Sequence, residues 1–122
     1  MSGKRTEKTW IHEKLNEHTG YFYSVDGEIV SAKTPYQSAR LIQTSGYGKA
    51  LLIDDITQVT ERWEYRYHEP LVHPVLLAHP SPSRVLLIGG GDGGALREIL
   101  RHNTVQRVDF AELDADIVNF SR

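Results

Sequence analysis

Five of the sixteen residues in the stretch VLLIGGGDGGALREIL, Val85 to Leu100, are glycine. The run Arg84–Ile88, rich in branched apolar residues, is typical of a strand that is covered on both faces. Leu96 and Ile99 follow the glycines at helical spacing. Glycine permits positive backbone dihedral angles and lets a ligand approach the main chain. A strand that enters a helix through such a turn therefore favours an anion or nucleoside site at the helix N-terminus.

A second strand and a second helix follow this turn. Arg107–Leu113 has the composition of a parallel strand, and Asp114 is suited to cap a helix that continues to Arg122. Glu112 lies at the end of that strand, eighteen residues after Gly94. An acid at this position can accept hydrogen bonds from both hydroxyls of a ribose. The order predicts the start of a doubly wound α/β fold that binds an adenosine-type nucleoside.

Asp92 narrows the choice of ligand. A carboxylate inside the turn repels a pyrophosphate but attracts a sulfonium or an ammonium group, which favours an S-adenosylmethionine-type ligand over a dinucleotide. No Gly-Lys-Ser or Gly-Lys-Thr follows, so the turn is not a P-loop. The alternative is a glycine-rich turn in which Asp92 only caps the helix.

The first half of the chain reads as strands and turns. Gly20–Val25 and Glu28–Lys33 flank an Asp-Gly pair, which favours a tight hairpin. Ser38–Thr44 and Lys49–Asp55 predict a second hairpin, and Ile56–Glu61 alternates as a half-buried strand does. We expect a small antiparallel β domain here.

The pattern changes near Trp63, which predicts a β domain over residues 1–62 and the beginning of a Rossmann-like domain over residues 63–122. Apolar residues from Leu71 to Leu77 are spaced as one helical face, but Pro70 and Pro74 limit where that helix begins. Two parallel strands alone cannot cover both faces of a sheet. We therefore expect the chain to be the first part of a larger fold.

The amino-acid composition argues against several classes of protein. A net charge of -2 argues against nucleic acid and an anionic membrane as partners. Cysteine is absent, which excludes disulfides and thiolate metal sites and fits a reducing compartment. The first residues lack the apolar core of a signal peptide, and no apolar run approaches membrane-span length. We expect a soluble cytoplasmic protein.

His68 and His73 lie one residue too far apart for the His-Glu-x-x-His motif, so no metal site is expected.

The stretch Val85–His102 closely resembles the signature of the spermidine synthase family, the polyamine aminopropyltransferases. Four more stretches agree in order: Lys33–Ser38, Leu52–Arg62, Tyr65–Pro80 and Ala111–Val118. The resemblance extends from about Trp10 to the last residue. It implies an N-terminal β domain, the opening of a Rossmann-like catalytic domain, and a homo-oligomer, either dimer or tetramer.

The resemblance also implies a reaction. An aminopropyl group passes from the co-substrate decarboxylated S-adenosylmethionine to putrescine or a related polyamine, which gives spermidine and methylthioadenosine without a cofactor. The family's main base is an aspartate on a later strand, which this chain lacks, so we expect the chain alone to be inactive.

The resemblance assigns roles to single residues. Gln37 would contact the nucleoside or thioether, Glu112 the ribose, and Asp92 the aminopropyl group and the amine. The polyamine channel would be lined by His68, with Gln58 nearby and Tyr67 as an auxiliary catalytic residue. The backbone of the turn would cradle the nucleoside through Gly89, Gly90, Gly91 and Gly93. Two departures are the glycine-free turn Ile53–Asp55 and Trp63 in place of an acid.

From the residues alone, other interpretations of the function and of single residues remain open. The chain could be a non-catalytic nucleoside-binding or assembly module, because it has an exposed sheet edge. It could also be part of an S-adenosylmethionine-dependent methyltransferase. His68 could be a structural histidine bonded to a neighbouring carboxylate. Arg97, Glu98 and Arg101 predict a solvated helix face.

Overall fold

The computed structural model describes residues 8–121, and the chain divides after Arg62 into two compact units. The N-terminal unit contains β1 (Thr9–Lys14), β2 (Gly20–Val25), β3 (Gly27–Lys33), β4 (Ser38–Thr44), β5 (Gly48–Ile53) and β6 (Ile56–Thr60). The C-terminal unit contains α1 (Tyr65–Ala78), β7 (Arg84–Ile88), α2 (Gly94–Leu100), β8 (Arg107–Ala111) and α3 (Ala115–Phe120). Within the described residues, no helix has both the length and the apolar character needed to cross a membrane.

The N-terminal unit consists of two antiparallel sheets. One has the order β1-β2 and the other β3-β4-β5-β6. Tyr23 of β2 lies in one buried cluster with Ile42, Ala50 and Leu52 of the larger sheet. The apolar sides of the two sheets therefore form a common core. The expected antiparallel β domain is confirmed.

The predicted hairpin between Gly20–Val25 and Glu28–Lys33 is wrong. The two strands form, but β2 pairs with β1 and β3 pairs with β4 in the other sheet. Between them, the Asp26 N–H donates to the Gln43 carbonyl and its carboxylate accepts from the Ser45 hydroxyl at 2.6 Å. These contacts direct the chain from the first sheet into the second, so β2 and β3 do not pair as a hairpin.

The turn between β5 and β6 forms without glycine. Asp54 and Asp55 have φ angles of 49° and 62°, in the left-handed region that costs a residue with a side chain about 1 kcal/mol or more. The Asp54 carboxylate accepts hydrogen bonds from the N–H of Ser38 at 2.8 Å and from its hydroxyl at 3.0 Å. Its own N–H donates to the Ser38 carbonyl. This network holds the strained turn in place.

Helix α1 begins earlier than the prolines suggest. It starts at Tyr65 and continues through Pro70 and Pro74, although each proline removes one backbone donor. Val72 and Leu76 are buried against Ala95 and Ile99 of α2. This packing compensates for the lost hydrogen bonds, which sequence pattern alone could not show.

Strands β7 and β8 are parallel, as predicted, and their register places Ile88 beside Ala111. The carboxyl ends of both strands therefore meet at one edge of the sheet. The Gly89 N–H donates to the Ala111 carbonyl at 2.8 Å, which continues the pairing one step beyond β7. The glycine turn and Glu112 leave the sheet side by side.

Candidate functional site

The glycine turn between β7 and α2 adopts backbone angles that require glycine. The φ angles of Gly89, Gly90 and Gly93 are 74°, 84° and 81°. A side chain at any of these positions would be strained. The Gly93 N–H donates to the Gly90 carbonyl at 2.9 Å and closes the turn. The chain then enters α2 at Gly94, whose N–H donates to the Asp92 carboxylate.

Glu112 is tied to this turn. One carboxylate oxygen accepts from the Gly91 N–H at 2.9 Å, and the other accepts from the Asp114 N–H at 3.1 Å. A Cβ at Gly91 would come within 2.9 Å of Ile117 and 3.1 Å of the Glu112 carboxylate. Glycine is therefore needed at Gly91 so that the acid at the end of β8 reaches the turn.

Asp92 lies in the same turn and makes two contacts. Its carboxylate accepts from the Gly94 N–H at 2.7 Å and lies 3.3 Å from Nε2 of His68. Its side chain is 22% exposed. The capping interaction that was the simpler alternative is present, but Asp92 also faces a buried imidazole. The carboxylate is thus available to a ligand as well as to the helix.

His68 is the buried centre of a series of polar contacts that links Glu64 to Asp92. Its side chain is 3% exposed, and its Nδ1 lies 2.6 Å from the Glu64 carboxylate. A Cβ at Gly94 would overlap the imidazole ring, so the absence of a side chain there makes room for His68. The structural-histidine reading is right about the neighbouring carboxylate, because His68 is bonded to Glu64. The second carboxylate, Asp92, was not part of that reading.

Two residues that extend this series of polar contacts outward from His68, Glu64 and Arg97, were not identified from the sequence. The Nη2 group of Arg97 donates to both oxygens of Glu64 at 2.8 Å. Burial alone raises the pKa of Glu64, but the hydrogen bonds from Arg97 and His68 outweigh it and hold that pKa below its ordinary value. The available signal was spacing, because Glu64 precedes His68 by one helical turn.

The remaining assigned residues fall in two groups. The Tyr67 side chain is 66% exposed, and its ring meets the His68 ring edge-on at 5.2 Å between centroids. Gln37 and Gln58 belong to the N-terminal unit. The Gln37 main chain bonds to Thr34, and the Gln58 amide donates to the Ile56 carbonyl. The C-terminal unit by itself therefore brings together the turn, His68, Asp92 and Glu112.

The predicted solvated face of α2 is wrong at Glu98. Its side chain is 2% exposed and accepts from Arg97 at 2.9 Å and from Arg101 at 2.8 Å, while His73 lies at 3.1 Å. Burial alone raises the pKa of Glu98, but the two arginine hydrogen bonds outweigh it and lower that pKa. Solvent exposure was expected because the charges alternate along the helix, but α1 covers this position.

Glu69, His73 and Glu98 bring possible metal-ligand atoms within 4.8 Å of one another. Arg97 and Arg101 already donate to the Glu98 carboxylate. Two guanidinium groups at this distance repel a cation. The cluster is therefore better suited to an ion-pair network than to a metal, and the absence of a metal site stays a prediction.

An apolar cavity of about 330 Å³ lies between α1, β7 and α2. Its lining is formed by Tyr67, Leu71, Val72, Val75, Leu76, Val85, Leu87, Ile88, Ala95 and Ile99. Asp92 and Glu112 do not line it. The polar site is instead defined by the hydrogen bonds of the glycine turn with Asp92 and Glu112.

Two family models match the chain. The model described as the spermidine synthase tetramerisation domain matches residues 9–61, and the spermine/spermidine synthase domain matches residues 64–122. The polyamine aminopropyltransferase of Thermococcus onnurineus is 50% identical over 103 residues, 84% of this chain and 36% of that protein. The polyamine aminopropyltransferase of Buchnera aphidicola is 41% identical over 116 residues, 95% of this chain and 40% of that protein.

Solved structures agree with these matches. A spermidine synthase in complex with the transition-state analogue AdoDATO superposes with a TM-score of 0.91 at 35% identity, over 93% of this chain and 39% of that one. Spermidine synthase from Thermotoga maritima gives a TM-score of 0.90 at 35% identity, over 93% and 40%. The chain thus spans about two fifths of the length of the curated and solved relatives described here.

Proposed function

The chain belongs to the spermidine synthase family, and we propose on this premise that it carries the nucleoside-binding part of a polyamine aminopropyltransferase. The reaction would transfer an aminopropyl group from decarboxylated S-adenosylmethionine to putrescine. One observation carries this proposal. The two carboxylates of Asp92 and Glu112 are both hydrogen-bonded to the backbone of one glycine turn, at Gly94 and Gly91.

The chemistry of the site supports these roles. A ribose needs acceptors for its two hydroxyls, and Glu112 offers a fixed carboxylate at the end of β8. The sulfonium and the amine are cationic, and Asp92 supplies negative charge beside them. Gly89, Gly90 and Gly93 keep side chains out of the space that a nucleoside would occupy. Positioning amine and sulfonium carbon together would supply much of the rate.

The roles of the other residues are also part of the proposal. His68 and Tyr67 would line the amine side of the site, while Gln37 and Gln58 would contribute from the N-terminal unit. The main base that the family resemblance implies is not among the residues assigned here. We expect no aminopropyl transfer by the purified 122-residue chain, and robust turnover would contradict that expectation.

We propose residues 1–62 and 63–122 as separate functional domains, with the first mediating homo-oligomerisation. The match of residues 9–61 to a tetramerisation domain supports this. Light scattering coupled to size-exclusion chromatography would measure the mass. A dimer or tetramer is expected, and a monomer at all concentrations would argue against it. We also propose a cytoplasmic location for the protein.

A calorimetric titration with methylthioadenosine tests the nucleoside site. Glu112→Gln should weaken binding by about tenfold or more, because a hydrogen bond to a charged group contributes about 1.5–3 kcal/mol. Asp116→Asn is the matched control, because Asp116 is an exposed carboxylate in the first turn of α3. Equal affinities of wild type and Glu112→Gln would refute the assignment.

A second titration separates this function from that of a methyltransferase. Asp92 should repel the carboxylate of S-adenosylmethionine, so the decarboxylated form should bind more tightly. A preference for the carboxylated form would favour the methyltransferase. Binding of neither nucleoside would favour a non-catalytic assembly module.

A further inference from the structure

We propose that Glu64, held by Arg97, is a positioning residue that keeps the ring proton of His68 on Nδ1. The other ring nitrogen, Nε2, then joins the Asp92 carboxylate as an acceptor for a primary ammonium group. The identity of that ammonium as the polyamine substrate rests on the proposed function. The position of the ring proton does not.

Glu64 is held by Arg97. Both of its oxygens accept from Nη2 of Arg97 at 2.8 Å, and its side chain is only 18% exposed. A carboxylate that is bound in this way by a guanidinium group is ionised and acts only as an acceptor. The atom facing it, Nδ1 of His68 at 2.6 Å, must therefore be the donor.

Nε2, on the opposite side of the His68 ring, faces Asp92. A neutral imidazole carries one N–H, so a proton on Nδ1 leaves a lone pair on Nε2. This lone pair lies 3.3 Å from the Asp92 carboxylate. Two acceptors at that distance repel each other unless a donor satisfies both, which is either a second ring proton on Nε2 or a donor that a ligand supplies.

The two acceptors, Nε2 of His68 and the Asp92 carboxylate, define the chemistry of the ligand. A primary ammonium group has three N–H donors and a positive charge, and it can satisfy both acceptors at once. The ring itself is fixed, because it is buried and packed directly on Gly94. Glu64 therefore acts through His68, at a distance from the ligand, and sets what Nε2 offers to it.

Glu64→Gln makes the inference testable. The introduced amide oxygen should turn to Arg97, which leaves the amide NH₂ facing Nδ1 and moves the ring proton to Nε2. The Nε2–H group would then donate to Asp92 and compete with the ammonium. Glu69→Gln is the matched control, because Glu69 is the residue after His68 and makes neither contact.

Nitrogen-15 NMR of the full 122-residue chain with labelled histidine reads the ring proton directly, at a pH well above the ordinary histidine pKa of about 6.5. His68→Gln identifies the signal. We expect an Nδ1–H ring in the wild type and in Glu69→Gln, and an Nε2–H ring in Glu64→Gln. A wild-type ring protonated on Nε2 alone, or on both nitrogens, overturns the proposal. So does a folded Glu64→Gln variant with an unchanged ring.

Calorimetry with putrescine provides the binding readout. Glu64→Gln should weaken putrescine binding by about tenfold, the loss expected for one hydrogen bond to a charged group, and leave methylthioadenosine binding unchanged. An equal loss in Glu69→Gln would overturn the proposal. If the wild type binds neither compound, the proposed function fails, while the NMR result still decides the role of Glu64.

Discussion

The two units differ in where their sheets bury side chains. In the N-terminal unit, β4 and β5 bury Ala39, Ile42, Ala50, Leu51 and Leu52. In the C-terminal unit, no residue of β7 or β8 is fully buried, and Leu86 and Ile88 are 63% and 78% exposed. The N-terminal core lies between sheets, while the C-terminal core lies between α1, α2 and one face of the sheet. A strand sequence therefore does not reveal by itself how much of it is buried.

The units also bury carboxylates in different surroundings. Glu13 of β1 accepts from the neutral Tyr21 hydroxyl at 2.6 Å and from the Thr57 N–H at 3.0 Å, which links the two N-terminal sheets. Burial and the bond to Glu13 raise the pKa of Tyr21 to about 12. Glu98 instead accepts from two guanidinium groups. The buried carboxylate of the C-terminal unit is thus stabilised by charged donors, whereas that of the N-terminal unit is stabilised by neutral ones.

Gly94→Ala should have the largest effect and should be confined to the C-terminal unit. The new Cβ would overlap the His68 ring, which is buried and cannot move aside. We expect a loss of about 3 kcal/mol or more in the free energy of unfolding of that unit. Amide hydrogen exchange would follow both units residue by residue. Gly46→Ala is the control, since a Cβ there meets nothing within 4 Å. A stable Gly94→Ala variant with an undisturbed His68 would contradict the packing described here.

Glu98→Gln compared with Glu13→Gln tests the difference in buried carboxylates. Losing a charge that two arginines contact should lower stability by about 1–3 kcal/mol, and more than the loss at Glu13, whose donors are neutral. Urea unfolding of both variants measures this. Equal losses of stability in the two variants would show that the guanidinium groups do not add to the stability of the folded state.

The same carboxylates predict how stability depends on pH. The folded-state pKa of Glu98 lies below the ordinary value of 4.5, because the arginine hydrogen bonds outweigh burial. Its contribution is therefore present above about pH 4.5 and is lost as the pH falls through the lowered value. Unfolding midpoints measured across this range should fall less steeply for Glu98→Gln than for the wild type. Identical slopes would contradict the ion-pair network.

Asp55→Gly should produce a smaller effect, of opposite sign, in the N-terminal unit. Asp55 has a φ of 62°, which glycine adopts without strain. The substitution removes an exposed ion pair with Arg40, which contributes little. We expect a gain of about 0.5–1 kcal/mol in thermal or urea unfolding. Asp26→Gly, at a bend without a positive φ, should give no gain.

Ile88→Thr should have the smallest effect. The side chain is 78% exposed, so stability should change by less than about 0.5 kcal/mol. Val72→Thr, at a buried position of α1, should cost clearly more. A large loss for Ile88→Thr in the isolated chain would show that the exposed face of β7 is covered in solution.

Much of the fold could be predicted from sequence. The parallel strands, the glycine turn and the Asp114 cap depend on local patterns, and Asp114 does accept from the Asp116 N–H. The error at Gly20–Lys33 arose because an Asp-Gly pair also suits a link between sheets. The early start of α1 was missed because packing outweighs the two prolines. Glu64 and Arg97 were missed because their contact joins residues 33 apart.

The sequence by itself determined the family, the glycine turn and the acids that frame it, because backbone freedom and charge are properties of single residues and short spacings. Only the tertiary structure decided which side chains share a proton or a guanidinium group. Whether Glu98 is solvated or buried, and which nitrogen of His68 faces Asp92, depends on how α1 packs on α2. Such contacts are set by the balance of burial against hydrogen bonding across distant segments, which no local pattern contains.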